Sequence, residues 1–279
     1  MPSRATCLAI ILYWLIAAGG LFVREVLPDL LVGPPPDLRS MSQAEADNPN
    51  REVHWTIQVE DPARPGGTPT LRPVGQVKTS WARTEDGGSS IDTDVQLESG
   101  ELLKTTGFAT GESVRLAIPS RFLVDVAGNL VSFHTEVRAS EDATPLVTLD
   151  GVVSKPTKTM ELRSRGLIPL LTIKKSIPYE PRSMIQSAIG PIDRLPGLRV
   201  GQRWRSQVVS PLTGRVESMQ VEVVRQRVIQ WGQNPVTVLE VVQSLPPVSA
   251  RTWVRPDGLV IRQEMPLPVL KLIIERVPE

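Results

Sequence analysis

Apolar and polar residues alternate through most of this chain. Val53, Trp55, Ile57 and Val59 interleave with His54, Thr56, Gln58 and Glu60, the period of two that a half-buried strand produces. The same pattern predicts strands over 74–84, 90–97, 113–118 and 121–126, with breaks at Gly87-Gly88, Gly100, Gly107 and Gly111. Asp125 to Asn129 reads as a tight turn into a strand over 130–138, a hairpin. Further strands are predicted over 145–153, 157–165, 167–174, 202–209, 215–226, 235–243, 250–254, 259–265 and 269–277. Pro256-Asp257-Gly258 supplies a turn with glycine where a positive φ is needed. Asp61 to Pro73 holds four prolines and two glycines and is predicted to be a long loop. One segment breaks the pattern. Pro181 suits a first helical position, Met184, Ile185, Ala188 and Ile189 have helical spacing, and Gly190-Pro191 stops the run, so 181–190 is predicted to be a short helix before a turn-rich crossover over 192–197.

A second signal lies at the start. Residues 5–23 carry no charge, and at about 1.5 Å per residue such a helix reaches roughly 28 Å, near the hydrocarbon thickness of a bilayer. This predicts a transmembrane anchor over 1–24, an interfacial segment and tether over 25–51, and a β domain over 52–279. The domain could consist of two half-repeats, about 52–178 and 197–279. Arg4 before the apolar run gives a slight positive excess on the short side, which sets the N-terminus in the cytoplasm. The alternative is a cleaved signal peptide with Ala17 to Gly20 as its processing site. Either route delivers the β domain outside the cytoplasm, and retention places the protein in the cell inner membrane with that domain in the periplasm. Cys7 lies at the start of the apolar run, not after it, so a lipoprotein anchor is not expected.

Composition narrows the function classes. A net charge of +1 with 22% charged residues argues against nucleic acid, whose binders concentrate a basic excess. Twenty-six prolines suit β architecture better than helices. Cys7 is the only cysteine, so no intramolecular disulfide or thiolate metal site is expected in the folded part. His54 and His134 fall on the polar phase of their strands, without a third ligand at metal spacing. Asp92 and Asp94 share one strand face, where an acid/base or calcium pair is conceivable and a wet sheet surface is commoner. No nucleophile elbow, phosphate-cradling loop or Ser-x-x-Lys appears. The chain is therefore read as no enzyme, with no cofactor. Arg199, Arg203, Arg205 and Arg215, with Arg225 and Arg227 beyond them, form a concentration suited to anionic headgroups. Five tryptophans, Trp55, Trp81, Trp204, Trp231 and Trp253, anchor an aromatic-poor domain, and Trp204 and Trp253 near strand ends are candidates for a cavity mouth.

Leu198 to Trp204 (LRVGQRW), Thr252 to Glu264 (TWVRPDGLVIRQE) and Leu272 to Arg276 resemble segments of bacterial membrane-anchored or periplasmic β-proteins of unknown function. In these a G-x-x-W strand start precedes a W-V-x-x-D-G-x-V-x-R-x-E hairpin. They look like the lipoprotein-carrier and lipoprotein-receptor fold, and about eighty residues carry the likeness. The resemblance implies a mainly β protein: a large, strongly curved antiparallel sheet, a half-barrel, with one short helix and room to shelter an acyl chain. It brings no catalytic residues. The expected function is thus a membrane-tethered, non-catalytic binding module outside the cytoplasm, for an apolar, lipid-like ligand or a partner segment. Met184, Ile185, Trp204 and Trp253 would line the ligand, and the bilayer would be held through 5–23. The alternative is a structural accessory of an envelope complex, docking through a sheet edge or the arginine-rich face.

Overall fold

A computed structural model describes residues 4–21, 33, 36, 52–61, 70–98, 115–166, 172–179, 193–209, 216–245, 248–266 and 271–278. One helix, α1 (Arg4–Leu21), opens the chain. Fourteen strands follow among the described residues. The first eight are β1 (Glu52–Asp61), β2 (Thr70–Arg83), β3 (Ser89–Glu98), β4 (Arg115–Val124), β5 (Leu130–Val137), β6 (Val147–Ser154), β7 (Thr159–Gly166) and β8 (Ile173–Pro178). The other six are β9 (Arg203–Val209), β10 (Val216–Trp231), β11 (Asn234–Leu245), β12 (Val248–Val254), β13 (Val260–Pro266) and β14 (Lys271–Arg276). The protein is mainly β, as its alternation predicts.

All fourteen strands form a single antiparallel sheet in the order β8-β7-β6-β5-β4-β3-β2-β1-β14-β13-β12-β11-β10-β9. Two meanders are therefore joined where β1 pairs with β14, with Trp55 opposite Arg276 and Ile57 opposite Ile274. Among the described residues the sheet does not close, because its two end strands, β8 and β9, are not paired with each other. It does curl. One buried cluster unites Val53, Trp55, Ile57 and Val59 of β1 with Val77, Val95 and Ile118 on one side and Trp204, Val221, Val241, Val260 and Ile274 on the other. Register shifts in β1/β2, β4/β5, β10/β11 and β12/β13 supply the bends. A second cluster, with Phe133, Leu149, Met160, Leu162 and Ile177, lies under β5 to β8.

The crossover into the second meander is fixed inside the curl. Leu195 N–H donates to the Gly258 carbonyl at 2.7 Å and Val260 N–H to the Asp193 carbonyl at 2.9 Å. Gly258 holds φ +87, and a Cβ there would lie 2.8 Å from Pro196 Cα, so the turn and the close approach both require glycine. Arg276, 1% exposed, donates through Nη1 to Oδ1 of Asp193, 5% exposed. Its guanidinium also lies 5.6 Å from the centre of the Trp55 ring.

Several expectations are corrected. Among the described residues no helix is long and apolar enough to cross a membrane. The span expected over 5–23 is instead α1, eighteen residues, which at about 1.5 Å per residue falls short of a core of about 30 Å. The two strands expected over 113–118 and 121–126 are one, β4, because Pro119 and Ser120 keep register with Asp94 and Thr93 and proline's φ suits an extended chain. The loop expected over 61–73 is shorter: β2 starts at Thr70 and Pro73 lies opposite Gln58. The strand expected over 167–174 is β8, further on, where Ile177 opposite Met160 is the inward residue. The strand expected to stop at Gln226 runs to Trp231, since Val228, Ile229 and Trp231 sustain it up to Gly232. The short helix expected over 181–190 lies outside the described residues.

Candidate functional site: the open edge beside β9

β10 has sixteen residues and β9 seven, so the outermost strand leaves part of its neighbour uncovered. β9 pairs with β10 from Val216 to Glu222, and Val223 then exchanges backbone hydrogen bonds with Gln202 at 2.9 Å and Gly201 at 2.8 Å. Val224 is the unpaired residue of a bulge. From Arg225 to Trp231, β10 pairs with β11 alone among the described residues. Residues 224–228 are all exposed, Val228 by 60%.

On the outer face, basic side chains line this edge. Arg225 Nε donates to Oε2 of the buried Glu240 at 2.7 Å, and Arg251 Nε lies 3.7 Å from Oε1 of the same carboxylate. The Arg227 guanidinium sits 5.0 Å from the centre of the Trp253 ring. Trp253 Nε1 donates to Glu264, which with Glu60 holds Lys271 at 3.0 Å. Of the four arginines singled out in the sequence, Arg199 and Arg205 are exposed, and Arg203 donates to Glu222 at 2.7 Å. Arg215 lies outside the described residues. Gly33 of the tether donates its N–H to the Arg203 carbonyl at 2.7 Å. Only eleven residues separate it from the end of α1, at most about 40 Å of extended chain.

The expected ligand-lining residues are not gathered in one chamber. Trp204 points inward and is 2% exposed. Trp253 belongs to a separate cluster on the opposite face, with Val238, Leu259 and Ile261. Trp231, at the tip of the β10/β11 hairpin, packs against that cluster and donates its Nε1–H to the Arg276 carbonyl at 2.8 Å. Met184 and Ile185 lie outside the described residues. Elsewhere among the described residues, open clefts are lined mostly by polar and charged residue types. One of about 660 Å³ along β6 to β8 is lined by Asp150, Glu161, Arg163, Arg165 and Lys174. Another, about 610 Å³, is lined by Gln76, Gln96, Glu98, Arg115, Glu141 and Asp142.

The histidines and aspartates sit on wet strand faces, largely in ion pairs. Asp92 accepts from Arg121 at 2.6 Å and Asp94 from Gln96 at 3.2 Å. His54 is 3.8 Å from Glu52. No group of three or more His, Cys, Asp or Glu among the described residues could hold a metal ion. His134 lies between Asp150 at 2.6 Å and Glu136 at 3.1 Å. Sequence reading missed this pairing, because a cross-strand neighbour has no fixed spacing in the chain. The hydrogen bond to Asp150 above all raises the His134 pKa, against partial desolvation. Arg138 and Arg165 also pair with these carboxylates, and Arg121 lies opposite His134 on the neighbouring strand. A raised pKa means the folded state binds this proton more tightly. The stabilisation is complete below the unfolded value of 6.5 and fades as pH rises through the higher folded value. Thermal melts at pH 5.5 and 8.5 should therefore show a larger loss at high pH for the wild type than for His134→Asn. Equal losses would rule the linkage out.

No protein-family model matches the chain, and no curated protein sequence does. Among solved structures it is similar to a beta-barrel-like protein of a domain of unknown function from Brucella abortus, with 9% identity and a TM-score of 0.48, over 81% of this chain and 95% of that one.

Proposed function

We propose that the protein is a membrane-attached, non-catalytic docking module of the cell envelope that binds a partner polypeptide at the open end of its sheet. The carrying observation is the filled concave side. Trp55, Ile57, Val59, Val223, Val241, Val260 and Ile274, each at most 1% exposed, pack with Trp204 and Leu195 in the space where a lipoprotein-carrier-like half-barrel would keep its acyl chain. Interiors packed this way leave no room for a chain of methylenes without repacking. The sheet edge, in contrast, stands open among the described residues. This favours the partner segment over the lipid-like ligand, and an assembly role over transport.

α1 provides the attachment. Tyr13, Trp14, Leu15, Ile16 and Leu21 are all more than 60% exposed, a contiguous apolar surface of the kind that rests against a membrane. The Gly33 hydrogen bond to β9 keeps its arginines within tether length of α1 and of an anionic surface on which that helix rests.

Photocrosslinking of the full chain in native membranes tests this. A photoreactive residue at position 228 should give discrete protein adducts, one at Val152 on the far meander should not, and delipidated protein should take up no fluorescent fatty acid. Stoichiometric fatty-acid uptake, or adducts at both positions alike, would contradict the proposal.

A further inference from the structure

We infer that the uncovered half of β10, Val224 to Trp231, takes up an extended acidic segment of the partner as a fifteenth strand. This rests on the docking reading and assigns its site and chemistry. In an antiparallel ladder alternate residues turn their N–H and C=O groups away from the strand already paired. Seven residues paired only with β11 among the described residues therefore offer a template about 23 Å long at roughly 3.3 Å per residue. The added strand would continue the line of β9, which occupies the same position along 216–222.

The two ends of the sheet differ in how they are guarded. β8 carries Lys174, Lys175 and Pro178 within six residues, the means by which sheet edges are kept from pairing. The uncovered run of β10, VRQRVIQW, has no lysine and no proline. Its two charges are turned to one face and held there, Arg225 by Glu240 and Arg227 over Trp253. The other face shows exposed Gln226, Val228 and Gln230.

Those two faces specify the occupant. Cross-strand neighbours on one face interact directly, so residues opposite Arg225 and Arg227 are acidic and two apart, and β-branched residues alternate with them on the other face, against Gln226 and Val228. Arg199, Arg203 and Arg205 extend the positive field along β9, against Glu222. A second copy of the chain fits poorly: antiparallel self-pairing centred on Gln226 sets Arg225 against Arg227.

The test uses the full chain in detergent and a fluorescent heptapeptide of alternating valine and glutamate, followed by anisotropy. Binding is expected, and it should weaken about tenfold when alternate peptide amides are N-methylated, since the ladder bonds are lost. A valine–lysine peptide should not bind. Val228→Pro, which removes an N–H, should weaken binding similarly with an unchanged melting temperature; if that variant does not fold, the N-methylated peptide decides. Absent binding, binding indifferent to N-methylation, or a dimer dissolved by Val228→Pro overturns the inference. Membrane crosslinks at position 228 without peptide binding would also overturn it, yet leave the docking reading intact.

Discussion

Asp193→Ala should lower the melting temperature by on the order of 10 °C, more than any substitution of a surface carboxylate. The Asp193–Arg276 pair is sealed inside the curl, both residues at most 5% exposed, and it ties the crossover to the last strand across 83 positions. Removing one partner of a buried pair typically costs about 3–5 kcal/mol, because the remaining charge keeps its desolvation penalty without its carboxylate. For a domain of this size each kcal/mol shifts the midpoint by about 2–4 °C. Asp193→Leu combined with Arg276→Met replaces the pair by apolar volume and should recover most of the loss. Circular-dichroism melts of the single and double variants, with Asp92→Ala as the exposed control, check both statements. A single-variant loss no greater than the control's would show that the pair does not hold the crossover.

Gly151→Val should also destabilise the fold and should be relieved by a second change. A Cβ at position 151 would lie 2.0 Å from Phe133 Cε1, with two more ring atoms within 2.7 Å. The ring cannot swing away freely, since Phe122 stacks on it at a centroid distance of 6.0 Å and Phe133 is 7% exposed. Overpacking of this kind costs about 1–3 kcal/mol. Phe133→Leu opens the space, so the double variant should be less destabilised than the sum of the singles. Denaturant titration across the four-member cycle measures that coupling, and strict additivity would mean the ring and the glycine do not meet.

Strand alternation made the fold class legible. Val53 to Val59 shows the period of two and forms a core strand. The turns at Gly128 and Gly258 were legible because glycine there meets a backbone demand, φ +77 and +87. Strand ends were less so. Pro119 reads as a break, yet its φ suits the extended chain of β4, and Gln226 reads as an end although Val228 and Ile229 carry β10 onward. The site was half legible: the arginine concentration is plain in the sequence, but the bare edge depends on β9 being shorter than β10, a fact of pairing. Trp204 and Trp253, both strand-end tryptophans by sequence, diverge because one residue of strand phase sends a side chain to the other face. Asp193 and Arg276 carried no signal at all, since 83 residues separate them.

Amide hydrogen exchange of the full chain with and without the valine–glutamate peptide tests most directly whether this protein binds at its edge or in its interior. Protection confined to 224–231, with β1 and β14 unchanged, is the expected result. Protection spread over the strands that line the concave side, around Ile57, Val241 and Ile274, with 224–231 unchanged, would contradict it.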